Sequence, residues 1–176
     1  MPLVEHHGKL PGVHPSAFVA GDAVLIGAVE LGKDVSIWFK TVLRADINTI
    51  TVGDRTNIQD GCILHVTHEY PVEVGVDVTI GHRAVIHGCS VLEGSLVGMG
   101  ALVLDNARVG PSAIVAAGAV VLENFVVPEG TLAAGVPARV VRRLTDEEKN
   151  ALRESARHYV DYARSYRAQS VAGRSV

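Results

Sequence analysis

The sequence predicts an all-β hexapeptide β-helix, a prism of short parallel strands, closed by one C-terminal α-helix. Three observations predict it. Aliphatic residues recur at every sixth position in long columns, glycine recurs immediately after the column, and aromatic residues are only 5% of a chain that is rich in valine. A helix repeats every 3.6 residues and a simple strand every two, so neither produces a period of six; a short strand plus a corner does. Low aromatic content fits narrow extended structure better than a bulky-cored sandwich or helix bundle.

The first column runs Val13, Val19, Leu25, Leu31, Ile37, Leu43, and the second runs Val85, Val91, Val97, Val103, Val109, Val115, Val121, Val127. Three steps close one coil of about 18 residues, and successive coils should stack at about the 4.8 Å strand spacing. The column is expected to point inward. Gly32, Gly53, Gly75, Gly81, Gly98 and Gly110 then mark corners where backbones approach closely. The frame slips by one near 92–97, where Ile80, Ile86 and Leu92 give way to Val97. Three surplus residues between Leu43 and Val52, and four between Leu64 and Val74, are expected to form outward loops. After Pro137 the repeat stops and a helix is expected. Thr145 with Glu148 fits a capping box, and Leu152, Ala156, Tyr159, Val160 and Ala163 keep helical spacing to about Tyr166. The expected organisation is a β-helix over 1–143, a helix packed on it over 144–168 and a flexible tail over 169–176.

Composition excludes several function classes. With 48% hydrophobic and 20% charged residues the chain is globular, and its formal charge of −3 without a basic run argues against a nucleic-acid partner. No run of 18 apolar residues or signal-length leader appears, so the reading is a soluble cytoplasmic protein with no membrane partner. Cys62 and Cys89 are too few for a disulfide framework and read as buried free thiols, with Cys89 turned into the packed interior by strand alternation. Trp38 and Phe39 read as cover for apolar surface near an interface or under the helix.

Counting in steps of six places side chains relative to one another. Arg44, His65 and His87 each follow a column residue one coil apart and should stack on one face. Asp60 and His82 should stack on a neighbouring face, beside Gln59. A lone strand histidine is ordinarily a plain surface or core residue, but two stacked on one face with a third close in sequence are a candidate ligand set. His65 and His87 can share an ion, whereas His82 lies up to about 16 Å back along extended chain, against a zinc bond of about 2.0–2.1 Å. Prisms packed about a three-fold axis resolve this: the His65/His87 face of one chain meets the His82 face of the next, completing a three-histidine site. The same packing brings Arg44 to Asp60 across the boundary, while Asp46 can anchor Arg44 within its own chain.

The run Arg44-Ala45-Asp46, then Asn57-Ile58-Gln59-Asp60-Gly61 with His65, then Gly81-His82 and His87-Gly88-Cys89, resembles the gamma-class carbonic anhydrases. The likeness extends from about Val13 to the C-terminal helix. It implies a homotrimer of left-handed parallel β-helices with metal at each subunit interface: Zn2+, or Fe2+ or Co2+ in its place. It further implies that His65 and His87 of one subunit and His82 of the next hold the metal, that Gln59 hydrogen-bonds near the metal-bound water, and that Arg44, Asp46 and Asp60 form an interface network. The implied reaction is reversible hydration of CO2 to bicarbonate by a metal-bound hydroxide, since three neutral imidazoles leave the ion its full charge and acidify a bound water to about pH 7. The acidic loop that carries the family's proposed proton-shuttling glutamate is short here: Val66 to Glu73 offers His68, Glu69 and Glu73. His68 has a suitable intrinsic pKa for proton transfer. Tyr159 stands in a Tyr-Val-Asp stretch that resembles the family's Tyr-Val-Asn and either reaches the site or packs.

Three alternatives keep the fold and change the role. One is a hexapeptide-repeat acyltransferase, suggested by Gly135-Val136-Pro137-Ala138-Arg139 and argued against by three histidines where such enzymes use one as base. Another is metal-assisted thioester hydrolysis, and the last is a non-catalytic scaffold trimer that retains the metal site.

Overall fold

The computed structural model describes residues 3–171. Twenty strands, most of them two or three residues long, are followed by one helix, Asp146–Val171. The strands stack in rows to make a parallel β-solenoid. One row runs through Ile63–His65, Val85–His87, Leu102–Val103 and Val120–Val121; a second runs through Val72–Val74, Ser90–Val91, Arg108–Val109 and Val126–Val127. The long strands Val24–Leu31 and Val42–Val52 turn the corner between these rows and join them into one twelve-stranded sheet. The third row is the eight-stranded sheet from Phe18–Val19 through Asn57–Ile58 and Thr79–Ile80 to Thr131–Gly135.

Each row contributes one inward aliphatic residue per coil. Leu43, Leu64, Ile86, Val103 and Val121 are in register and fully buried, as are Ile37, Ile58, Ile80, Val97 and Val115 on the third row. Two residues earlier in each step a smaller side chain also points in, as with Ala84, Ala101 and Ala119. This is the strand alternation of period two nested inside the six-residue step, and the small residue fits where the corner narrows. The interior therefore has no room for rings, which is why aromatic residues are scarce. Glycine after the column is required by backbone contact: a Cβ on Gly98 would lie 2.4 Å from the Ala117 nitrogen, and one on Gly81 would lie 2.8 Å from the Met99 nitrogen.

Several sequence expectations are corrected. Val85 starts the eight-valine column on paper but is only half-buried; its neighbour Ile86 fills the interior, and Val91 does so next. The slip is thus a five-residue step between Ile86 and Val91, not one near 92–97, and Gly88, at φ +52°, lies within it. The three surplus residues before Val52 form no loop. Val42–Val52 stays extended, and residues 46–49 bulge opposite Ala28 because Ala45 pairs with Gly27 and Ile50 with Val29. The second surplus does leave the sheet, at 66–71, but Glu73 is already in strand and accepts a hydrogen bond from Ser90 Oγ at 3.1 Å.

The helix does not follow Pro137 directly. Ala138–Arg143 first folds back antiparallel on Thr131–Gly135 and covers the last coil. The helix then starts at a reciprocal cap: Glu148 N donates to Thr145 Oγ1 at 3.2 Å and Thr145 N donates to Glu148 Oε2 at 2.9 Å. Leu152, Ala156, Val160 and Ala163 bury against the third row, and Arg167 donates to the carbonyls of Pro15 and Ser16 at 2.9 and 2.5 Å. Helix continues to Val171, three residues into the stretch expected as tail; 172–176 lie outside the described residues.

Candidate metal centre

Parallel register carries His65 and His87 to the same height on adjacent strands, with Arg44 one strand further. The bulge at 46–49 then turns Asp46 back towards them. The result is one continuous polar chain across the face. Arg44 Nη1 donates to Asp46 Oδ2; Asp46 Oδ1 is 3.1 Å from His65 Nε2; His65 Nδ1 is 3.1 Å from His87 Nε2; and His87 Nδ1 is 2.5 Å from Asp105 Oδ1. Burial alone pushes the Asp46 carboxyl up, but the hydrogen bonds from Arg44 and His65 outweigh it and hold the group below the ordinary carboxylate range.

These contacts fix the tautomers. A carboxylate only accepts, so Asp46 takes the Nε2 hydrogen of His65 and Asp105 takes the Nδ1 hydrogen of His87. Each neutral ring then keeps its lone pair on the remaining nitrogen, and the structure points those two nitrogens at each other at 3.1 Å. Nitrogens so placed can share a cation between them, either a proton or a metal ion. Two tetrahedral zinc ligands at about 2.0–2.1 Å stand roughly 3.3 Å apart, so the donor set fits a zinc-like ion, and carboxylate-backed imidazoles are the usual way such ligands are oriented.

His82 is built the same way on another face. Its Nδ1 is 2.8 Å from Asp60 Oδ2, which leaves Nε2 outward, and both side chains are 43% exposed against 18% for His65. Gln59 is buried and held at both ends, donating to Asn57 Oδ1 at 3.1 Å and accepting from the His82 backbone nitrogen at 3.2 Å. Gln59 therefore sets the backbone position of His82. Tyr159 reaches the same face from the helix. Together with Gln59 and His82 it lines a groove of about 450 Å³, and burial, then the charge of Asp60, pushes its phenol up. Among the described residues, no three His, Cys, Asp or Glu of one chain come together as a metal-holding group.

His68 is exposed in the turn at 66–71, and its carbonyl, like that of Thr67, accepts from the Asn48 side chain, at 3.2 and 3.0 Å respectively. Cys62 and Cys89 are free and buried, and burial pushes both thiols up to about 12. The sequence reading missed Asp105. Counting did not point to it: Ile86 pairs with Val103, a coil of 17 residues, so Asp105 lies one residue beyond the position in register with His87.

Compared with models of known protein families, the chain matches none. Individual relatives are informative. It is 44% identical over 174 residues to the mitochondrial gamma carbonic anhydrase 1 of Arabidopsis thaliana, covering 96% of this chain but 63% of that protein, so it spans under two thirds of that relative's length. It is 41% identical over 166 residues to the carbonic anhydrase of Geobacillus kaustophilus, covering 94% of this chain and 91% of that one. A crystal structure of a hexapeptide transferase family protein from Anaplasma phagocytophilum superposes with a TM-score of 0.91 at 41% identity, covering 94% and 98% of the two chains.

Proposed function

The chain belongs to the gamma carbonic anhydrase family, and from that premise we propose that it catalyses the reversible hydration of CO2 to bicarbonate at a metal site shared between copies in a homotrimer. The observation that carries this reading is the repeated pairing of histidine with carboxylate: Asp46 with His65, Asp105 with His87, Asp60 with His82. His65 Nδ1 and His87 Nε2 of one copy and His82 Nε2 of its neighbour are the proposed ligands, with zinc, or iron or cobalt in its place, as the metal. When bound, the metal supplies an acidified water at neutral pH, the nucleophile CO2 requires. Asp46, Asp60 and Asp105 accept one ring hydrogen each and so aim the other nitrogen of each imidazole, and Arg44 holds Asp46. Gln59 is the proposed orienting group for the reacting water, acting beside the His82 it positions. His68, on the exposed turn, is the proposed proton exit to solvent, and Tyr159 the proposed wall on the helix side. Two free buried thiols suit a reducing compartment such as the cytoplasm.

An acyl-transfer reading has support in the groove beside His82 and in the name of the Anaplasma relative. It needs only one base, the Asp60–His82 pair, and leaves the facing nitrogens of His65 and His87 without a role. The test is CO2 hydration by stopped flow on protein prepared with zinc and, separately, anaerobically with iron, together with its mass in solution. Hydration by a trimer that disappears in His82→Ala is expected. Thioester cleavage without hydration, or a monomer that binds stoichiometric zinc, would overturn the proposal.

A further inference from the structure

The outward face of the third row packs beneath the helix, and its composition changes along the row. In register from one coil to the next stand Ser36, Asn57, Thr79, Leu96 and Ile114. Packing under a helix asks only for apolar cover, yet Asn57 and Thr79 are polar and are 0% and 5% exposed. Polar groups withdrawn from water this completely cost stability unless each finds a partner. They find partners in a single chain of hydrogen bonds that begins at His82 and ends on the helix. The His82 backbone nitrogen donates to Gln59 Oε1 at 3.2 Å, Gln59 Nε2 donates to Asn57 Oδ1 at 3.1 Å, and Asn57 Nδ2 donates to Thr79 Oγ1 at 2.9 Å. Thr79 Oγ1 is in turn 3.3 Å from Ser155 Oγ.

Backbone groups with only one role fix the direction of this chain. A backbone N–H only donates, so the Gln59 oxygen faces His82 and the Gln59 nitrogen faces Asn57. A backbone carbonyl only accepts, and Val78 O, 3.4 Å from Asn57 Nδ2, puts the Asn57 nitrogen on the Thr79 side. Thr79 therefore accepts from Asn57, which leaves its hydroxyl hydrogen for Ser155. Turning the Gln59 amide over would set its nitrogen against a donor and its oxygen against the Asn57 oxygen. One Nε2 hydrogen of Gln59 goes to Asn57, and the second is left for the groove that Gln59 lines beside His82. From this geometry we infer that Thr79 and Ser155 are positioning residues: through Asn57 they hold the Gln59 amide in the orientation that offers a hydrogen, not a lone pair, to the reacting oxygen. The helix thereby reaches the chemistry without touching it. The role in turnover rests on the reaction proposed above, whereas the hold on the amide is measurable without it.

The sequence has two glutamines, Gln59 and Gln169, so zinc-loaded full-length protein labelled with nitrogen-15 in the glutamine side chain gives two amide signals by NMR. Gln169 is exposed near the end of the helix and serves as the internal reference. Ser155→Ala and Thr79→Val are each expected to shift the Gln59 signal and speed its hydrogen exchange while Gln169 stays in place. Ser155→Thr, which keeps the hydroxyl, is expected to retain the wild-type signal. In CO2 hydration Ser155→Ala should lower kcat about 2- to 12-fold, the loss of one neutral hydrogen bond, with KM and zinc per trimer unchanged. A Gln59 signal indifferent to both Ser155→Ala and Thr79→Val overturns the inference, as does an unchanged kcat where the signal moves. Wild-type protein that loads zinc but hydrates no CO2 refutes the proposed reaction instead, and the Gln59 signal then still decides whether the helix holds the amide.

Discussion

Mixing two inactive variants tests the shared site most directly. His87→Ala removes a ligand from one face and leaves the His82 face whole; His82→Ala does the reverse. If each centre takes His65 and His87 from one copy and His82 from the next, neither homotrimer has a complete centre. A mixed trimer has one junction of its three at which an intact His65/His87 face meets an intact His82. Random assembly from equal amounts places about three quarters of trimers in mixed form, so the mixture should regain about one quarter of the wild-type centres. The assay is co-expression of the two chains under different tags, isolation of doubly tagged protein, and measurement of zinc per trimer alongside CO2 hydration. Doubly tagged trimers should hold about one zinc where wild type holds about three. A mixture as inactive and metal-poor as its parents would refute the cross-copy geometry, as would either single variant keeping full zinc.

Other perturbations follow from the same coordinates. Asp105→Asn keeps the shape and removes the charge behind His87, so zinc affinity, read by competition with a chromogenic chelator, should fall about 10- to 100-fold; an unchanged affinity removes Asp105 from the centre. Gly98→Ala forces a Cβ against the Ala117 backbone and should cost about 1–3 kcal/mol in urea denaturation. Gly100→Ala meets no neighbour but has φ +68°, so its cost should be smaller, about 1 kcal/mol; the reverse order would contradict the packing argument. Arg142 and the Thr145 amide hold the Glu148 carboxyl at about 2, below its ordinary 4.5. A depressed carboxyl contributes stability above its unfolded pKa and loses it as pH falls through the folded one. The stability gap between wild type and Glu148→Gln, followed by helix circular dichroism, should therefore be full above pH 4.5 and vanish near pH 2.

Much of the solenoid is legible in the sequence because its period is set by local geometry: a two-residue strand and a corner repeat wherever the six-residue pattern does. Counting along that period puts Arg44, His65 and His87 in one register and Asp60 beside His82, and the coordinates show both. The count fails where the backbone departs from the repeat. Val85 continues the valine series but faces outward, because the five-residue step at Gly88 shifts the strand by one, and one residue of register exchanges the two faces.

By itself, then, the sequence determines the repeat, the row to which each histidine belongs and the capped helix, all of which depend on spacing along the chain. Only the tertiary structure decides that Asp46 turns back from a bulge, that Asp105 backs His87 from the next coil, and that His65 and His87 face each other through their lone pairs. Those features depend on side-chain direction and on contacts between coils, and a hydrogen bond's partner is chosen by distance in space, which spacing along a chain does not specify.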